Sequence, residues 1–460
     1  MTEQFDLVVI GGGTGGLRLA LRAAAEGLET AIVDLGVLGG TCLNTGCIPT
    51  KTLLHSAELY QDILRAGNFG IEVRAVKPNF KKIMARMHAL VHEGQEHIVR
   101  SVKSRKLTVV RGKASFIDQR LIYAGTRTLS AKHFVISTGA RPVIPDIKGI
   151  KSVPAMVSDD VLQLQGLPKS LAIIGGGYIS IELATFFAAL GTKVTIIEHG
   201  PRILRELDPD ITALLESVYQ KRGVRFLVQH GIVEVALKGK EICVVCSLSD
   251  KKTETIHASH LLVATGRAPN TAGLALEKAG VQMNEHGAII VDDMLATSNS
   301  AVYALGDVTG RAPFAHAAKR EAYIILENIL HGKKLHMPFN SVPWAVFSDP
   351  PIGGMGMSED KARAAGIAYG VQKAEFRRAG RAIILGQSEG FVKVVYERTS
   401  RKLIGAFCVG ARADDIIHEF VAFMHMNATI DDVHRVIHIH PTLSEVIEAL
   451  QETGPLSFKK

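Results

Sequence analysis

Cys42 and Cys47 lie five residues apart in the run Gly39-Gly40-Thr41-Cys42-Leu43-Asn44-Thr45-Gly46-Cys47-Ile48-Pro49-Thr50-Lys51. Thiolates are nucleophiles and electron acceptors, and a helix start or a nearby lysine lowers a thiol's pKa. In an ideal helix, Cα atoms five residues apart are about 8.7 Å from one another. A disulfide tolerates no more than about 7 Å. A bond between the two is therefore feasible only if the turn is distorted, and Gly46 permits distortion. Two unrelated buried cysteines are the alternative, and Gly39-Gly40 before them and Pro49-x-Lys51 after them suit it poorly. A second constellation is His438-Ile439-His440-Pro441-Thr442-Leu443-Ser444-Glu445. A histidine within reach of a carboxylate is a general acid–base whose pKa can be tuned. A histidine-rich helix start, or a metal site built from His434 and His438, are the alternatives there.

Such residues need elements to hold them. Asp6–Ile10 is a short apolar run suited to a buried parallel strand. Gly11-x-Gly13-x-x-Gly16 follows and opens a helical pattern through Leu17, Leu19, Ala20, Leu21 and Ala24. The glycines allow a tight turn and let backbone touch a pyrophosphate at the positive helix end. Asp34 ends the next strand, where an acid would bond ribose hydroxyls. The same grammar recurs at Ser170–Ile174, Gly175-x-Gly177-x-x-Ser180 and a strand ending at Glu198. Ser180 is small enough for close helix–strand packing. Glu198 should accept from the 2′-hydroxyl of NAD and repel the 2′-phosphate of NADP. Arg202 and Arg205 follow closely, so NADP stays open beside NAD.

Each copy closes alike, at Thr138-Gly139 and at Thr265-Gly266. From Gly11 to Thr138 is 127 residues, against 90 from Gly175 to Thr265, so the first copy carries 37 more. The surplus plausibly holds the cysteine segment and a helical stretch near Phe80–Lys103. Two dinucleotide units imply two dinucleotides, or a flavin dinucleotide with a nicotinamide. A nicotinamide needs a hydride partner, and the inserted cysteines suggest a further electron acceptor.

A third landmark, Thr297–Asp307, reads as a strand ending in Gly306-Asp307, with a helix from about Pro313 to Leu330. Beyond Pro338, Val342–Phe347, Val371–Phe376, Phe391–Glu397 and Leu403–Val409 read as an antiparallel sheet. Helices are expected at about 358–366, 414–426 and 442–451, and the tail 454–460 is expected to fray.

Composition narrows the class. Hydrophobic residues make up 47% and charged residues 21%, a globular balance that excludes disorder. Five cysteines in 460 residues exclude a disulfide-stapled secreted scaffold. No apolar run approaches a membrane span, and Met1–Phe5 leads straight into a strand. Neither a membrane partner nor a signal or transit peptide is expected, and reducing cytoplasm is the default compartment. The net charge of +8 has no long basic block, so it suits anionic ligands better than nucleic acid.

The run Gly39–Lys51 closely resembles the redox-disulfide signature of the class I pyridine nucleotide–disulfide oxidoreductases, which include dihydrolipoamide dehydrogenase, glutathione reductase and mercuric reductase. The resemblance extends over nearly the whole chain: both glycine motifs, both Thr-Gly closures, Gly306-Asp307 and the C-terminal sheet. It implies an α/β fold with two Rossmann-like dinucleotide-binding domains, as in glutathione reductase, and a C-terminal α+β dimerisation domain. The FAD-binding domain would take residues 1–147 and 281–338, the NAD(P)-binding domain 148–280 and the dimerisation domain 339–460. FAD would lie against Gly11, Gly13, Gly16, Asp34, Gly40, Thr41, Lys51, Thr138, Gly139, Gly306, Ala315 and His316, with Asp307 on its ribityl chain. NAD, or NADP, would lie against Gly175, Gly177, Tyr178, Ser180, Glu182, Glu198 and Gly266. Cys42 would be the exposed interchange thiol and Cys47 the charge-transfer thiol beside the flavin. Lys51 would approach flavin N5 and pair with Glu182. Tyr178 matches an aromatic that in some members covers the flavin until nicotinamide displaces it. His440 and Glu445 of one subunit would serve the cysteine pair of the other, implying an obligate homodimer.

The resemblance implies a reaction class more firmly than an oxidant. Ala315-His316-x-Ala318-x-x-Glu321 is similar to dihydrolipoamide dehydrogenase, whereas Phe347-Ser348-Asp349-Pro350 is more like mercuric reductase. Mercuric reductases carry a C-terminal cysteine pair, and no cysteine follows Cys408. Soft ions need thiolates, so the missing pair argues against Hg(II) reduction. The leading expectation is a dihydrolipoamide dehydrogenase type reaction. Its partner would be a small dithiol or disulfide, or a lipoyl-carrying protein. The competing expectations are an NAD(P)H-driven reductase of another disulfide, quinone or metal ion, and a non-catalytic flavin redox sensor. No structural metal is expected. Cys243 and Cys246 lie three apart in a strand pattern, so on opposite faces, and Cys408 reads as a buried hydrophobe. His257 and His260 read as surface or hairpin residues.

Overall fold

A computed structural model describes residues 1–248 and 252–453. The tail 454–460 lies outside the described residues. The first strand runs Thr2–Ile10. It starts earlier than its apolar core suggests, because Thr2–Phe5 pairs with Thr128–Ala131. Thr108–Arg111, Thr30–Asp34, Thr2–Ile10, Arg127–Ile136 and Val302–Ala304 form one parallel run. The antiparallel strands Leu121–Ala124 and Ala114–Asp118 extend the same sheet. The chain therefore leaves this sheet after Ile136 and returns to it at Val302.

In between, Arg225–Val228, Lys193–Glu198, Ser170–Ile174, His260–Val263 and Ala155–Met156 make a second, wholly parallel sheet. In both sheets the Gly-motif strand is central, and a helix follows it, Thr14–Ala25 in one and Tyr178–Ala189 in the other. The two copies are clasped where they close. Ala140–Pro142 pairs antiparallel with Arg267–Pro269, and Thr138 Oγ1 donates to the Asn270 carbonyl at 2.7 Å.

Ser180 has a packing reason. In the first copy Gly16 faces Ser137, and a Cβ on Gly16 would lie 2.0 Å from the Ser137 hydroxyl oxygen. In the second copy the positions are Ser180 and Ala264. The larger residue stands at the strand end in the first copy and at the helix start in the second.

The C-terminal sheet is antiparallel, in the order Trp344–Val346, Ile352–Gly356, Leu403–Val409, Phe391–Glu397, Tyr369–Glu375. Ile352–Gly356 was not expected. Its sequence Ile-Gly-Gly-Met-Gly has low strand propensity. Packing requires those glycines: a Cβ on Gly353 would meet the Ala413 carbonyl at 2.6 Å, and one on Gly354 would meet the Trp344 ring at 2.2 Å. The helix expected over 442–451 is also absent. Only a single turn, Ser444–Val446, and the short helix Leu450–Thr453 form. Glu445 takes the Thr442 N–H at 2.7 Å, and the segment bends around that contact.

The helix Cys47–Arg65 is held between units. Its Leu53 and Ala57 pack in one core with Met84 and Met87 of the helix Phe80–Ser104, Phe186 and Phe187 of the second glycine-motif helix, and Val346, Phe407 and Val409 of the C-terminal sheet. Among the described residues no helix is long and apolar enough to cross a membrane.

Candidate active site

The cysteine segment reaches its place by glycine contacts. Gly40 has φ +58°, and a Cβ on it would lie 2.6 Å from the Gly13 Cα, so backbone rests on backbone there. This brings Cys42 beside Thr14, the first residue of the helix Thr14–Ala25. The short helix Gly40–Asn44 then ends, Thr45 and Gly46 leave helical geometry, and a new helix starts at Cys47. The expected distortion is therefore a full break, with Gly46 at φ −126°, ψ −106°.

Both cysteines are thiols here, half-buried, and joined by a hydrogen bond. They titrate as one system. The hydrogen bond from Cys47 pulls Cys42 down to about 6, against the opposing effect of burial; the Thr14 hydroxyl and the Lys319 and Lys51 ammonium groups help. The same hydrogen bond pushes Cys47 up, with burial adding to the effect. At neutral pH the reduced pair carries one negative charge, shared across the hydrogen bond between the two sulfurs.

One helical turn beyond Cys47, Lys51 Nζ lies 2.7 Å from Glu182 Oε2. Glu182 comes from the helix Tyr178–Ala189 and is 5% exposed. Its other oxygen accepts the Phe347 backbone N–H at 3.2 Å. The Phe347 ring centroid lies 4.5 Å from Lys51 Nζ. Tyr178 stands nearby, 43% exposed, with its phenol raised by burial and by Asp307. Asp307 itself is raised by burial, opposed by Arg267. One protomer thus gathers Cys42, Cys47, Lys51, Glu182, Tyr178 and Asp307.

Asp34 and Glu198 do the same work in both copies. Asp34 accepts the Gly12 N–H at 2.6 Å and the Gly36 N–H at 2.7 Å. Glu198 accepts the Gly176 and Gly200 N–H groups, each at 2.6 Å. Each carboxylate oxygen keeps a further lone pair for a ribose hydroxyl. Arg202 donates to the carbonyls of Arg205 and Leu207 at 3.0 and 3.1 Å, so its guanidinium is engaged within its own loop.

Dinucleotides fit these features. Both glycine-motif helices, Thr14–Ala25 and Tyr178–Ala189, begin without a side-chain cap. Their first N–H groups are therefore left for a pyrophosphate. The Glu321 carboxyl gives a second indication. It is fully buried, one oxygen takes the Gly306 N–H at 2.6 Å, and the other has no partner. Burial pushes it up to about 7. His316 is less free than its motif suggests: its Nε2 lies 2.6 Å from the Pro343 carbonyl and its ring stacks on Phe314.

The second constellation is elsewhere on the protomer. His440 Nδ1 lies 2.6 Å from Glu445 Oε1, and the histidine is 78% exposed. The Thr442 N–H, and then His440, hold the Glu445 carboxyl below its usual range. Among the described residues no hydrogen bond or ion pair links this dyad to Cys42 or Cys47. His438 is buried and bound to Glu419 at 2.8 Å, whereas His434 meets Gln372 at 2.8 Å. The two histidines therefore do not converge as a metal pair. Cys246 packs in the core with Ile242 and Val244, and Cys243 on the opposite face meets His257 at 3.5 Å.

Sequence reading passed over Thr14, Lys319, Arg267 and the contacts of Phe347. Only Thr14 carried a local signal, as a hydroxyl residue inside a glycine turn.

Comparison with known proteins matches residues 5–322 to the pyridine nucleotide-disulphide oxidoreductase family and residues 342–451 to that family's dimerisation domain. The chain is 35% identical to the dihydrolipoyl dehydrogenase of Bacillus subtilis (strain 168), over 97% of both chains. It is 38% identical to that of Thermus scotoductus, over 96% of both. Among solved structures it is similar to the Cu(II) complex of the HOCl-induced flavoprotein disulfide reductase RclA from Escherichia coli. That likeness has a TM-score of 0.88 and 28% identity, and covers 98% of this chain and 100% of that one.

Proposed function

The chain belongs to the pyridine nucleotide-disulphide oxidoreductase family, and from this we propose its particular reaction: NAD⁺-linked oxidation of a dihydrolipoyl dithiol. The family uses FAD and a nicotinamide dinucleotide, and the protein is an FAD-dependent oxidoreductase of disulfides. The observation that carries the reading is the joined Cys42–Cys47 thiol pair one helical turn from Lys51–Glu182.

We assign FAD to residues 1–147 and 281–338, NAD to 148–280, and dimer contacts to 339–460. In the oxidised enzyme Cys42 and Cys47 form a disulfide. A substrate thiolate attacks the Cys42 sulfur, the S–S bond breaks, and Cys47 departs as a thiolate. The second substrate thiolate closes the substrate disulfide and releases Cys42. His440 of the partner subunit takes the substrate proton, and Glu445 steadies the imidazolium. When bound, FAD would supply the acceptor for the dithiol couple's electron pair, and NAD⁺ would supply the final hydride acceptor. Lys51 places positive charge beside the site, Glu182 fixes its direction, and Tyr178 guards the nicotinamide side. Glu198 and the engaged Arg202 support NAD over NADP. A homodimer in the cytoplasm, serving a lipoyl-carrying protein, completes the proposal.

The likeness to a copper-binding flavoprotein disulfide reductase supports a second reading, an NAD(P)H-driven reductase of another disulfide or of a metal ion. A panel of dihydrolipoamide with NAD⁺, and of glutathione disulfide, Hg²⁺ and Cu²⁺ with NADH, separates the two. Dihydrolipoamide turnover dominating the panel supports the first reading, and turnover confined to Cu²⁺ or another oxidant replaces it with the second.

A further inference from the structure

We propose that Phe347 is a positioning residue for the Lys51–Glu182 pair, holding the ammonium with its ring and the carboxylate with its backbone N–H. This rests on the reading that the pair faces the flavin. Phe347 follows the strand Trp344–Val346, so it comes from the C-terminal sheet, 165 residues from Glu182. It meets both charged groups at once: its N–H reaches Glu182 Oε1 at 3.2 Å and its ring centroid is 4.5 Å from Lys51 Nζ. Lys51 and Glu182 are otherwise joined through the remaining carboxylate oxygen at 2.7 Å.

The three residues form a closed triangle. An ammonium held by one carboxylate can swing about that contact, and an aromatic face on its other side removes the swing. The segment bearing Phe347 is itself fastened. Arg222 donates to the Asp349 carboxylate at 2.6 Å and to its carbonyl at 3.0 Å. The Asp349 N–H donates to Tyr219 Oη at 3.3 Å, and Ser348 Oγ donates to the Pro350 carbonyl at 2.7 Å. Tyr219 belongs to the helix Pro209–Lys221 of the second parallel unit, and Arg222 caps it. Phe347 is thus held from the nicotinamide side while it holds the Lys51 side. This gives the Phe347-Ser348-Asp349-Pro350 run a role in the reaction centre, independent of which oxidant the enzyme meets.

The test uses FAD-loaded enzyme with Phe347→Leu, Phe347→Tyr, Lys51→Met, and Lys51→Met combined with Phe347→Leu. Two quantities are read: the rate of flavin reduction by NADH, and the flavin midpoint potential by dye equilibration. Leucine keeps the backbone N–H and most of the bulk but has no π face. Phe347→Leu should slow reduction about two- to thirtyfold and lower the potential, with FAD content unchanged. Phe347→Tyr should restore both. In the Lys51→Met background, Phe347→Leu should have no further effect. If Phe347→Leu fails to load FAD, Phe347→Met is read against the same expectations. Wild-type values in Phe347→Leu, or an undiminished effect in the Lys51→Met background, would overturn the inference alone. Wild-type values in Lys51→Met would overturn the placement of Lys51 at the flavin, and the inference with it.

Discussion

His440 and Glu445 are joined by a 2.6 Å hydrogen bond on an exposed stretch of the C-terminal unit, while the thiol pair lies in the first unit. Under the proposed function this dyad serves the cysteine pair of a second subunit. Glu445→Gln should therefore weaken proton transfer from the dithiol and leave the NADH side alone. Dihydrolipoamide turnover should fall about ten- to a hundredfold. Flavin reduction by NADH should stay within about twofold. Equal losses in both half-reactions would remove the dyad from its assigned place.

Cys42 should behave as the reactive thiol of the reduced pair. Its pKa of about 6 means that thiolate is present above that pH and protonated below it. Alkylation of NADH-reduced enzyme by iodoacetamide, mapped by peptide mass, should fall on Cys42 and titrate near pH 6. Removing the hydroxyl with Thr14→Val should move that midpoint upward. Preferential labelling of Cys47 would reverse the assignment of the reactive thiol.

The fold's largest feature was legible because two glycine turns, two strand-end acids and two Thr-Gly closures repeat in order. The cysteine break was legible in part, since pairing at that spacing required a distorted turn and Gly46 permitted one. Contacts that join distant units were not. Nothing local in Gly353-Gly354 announces a strand, because those glycines answer to Trp344 and Ala413. Leu443, Val446, Ile447 and Leu450 keep helical spacing, but Glu445 folds back on the Thr442 N–H, and the helix does not form. Phe347 lay in a quoted motif, yet its partners are 165 and about 300 residues away in the chain.

The trade between Gly16 and Ser180 gives a stability test. Gly16→Ser puts a Cβ about 2.0 Å from the Ser137 hydroxyl oxygen, so the helix must shift. It should cost about 1–3 kcal/mol and reduce FAD retention. Gly16→Ser with Ser137→Ala removes the hydroxyl contact but leaves the Cβ 2.3 Å from the Gly11 carbonyl oxygen, so it should recover only part of the loss. Thermal melts of the three variants measure both. No recovery in the double variant would reject the packing explanation.

Glu321 gives a pH signature. Its carboxyl is raised to about 7, above the unfolded value, so its protonated form favours the fold. That contribution is full below about pH 4.5 and is lost as pH rises through 7. The melting temperature of wild type should fall between pH 5 and 8 by more than that of Glu321→Gln. The differential should amount to about 1–3 kcal/mol, and parallel curves would show that Glu321 does not titrate there.

The central claim is that electrons from a dithiol enter at Cys42 and leave beside Cys47. Stopped-flow mixing of FAD-loaded enzyme with dihydrolipoamide, followed across the visible spectrum, tests it most directly. Wild type should develop a long-wavelength thiolate–flavin band on two-electron reduction, and Cys47→Ser should lose both that band and NAD⁺-linked turnover. If Cys47→Ser keeps the band and the turnover, the thiol pair is not the path.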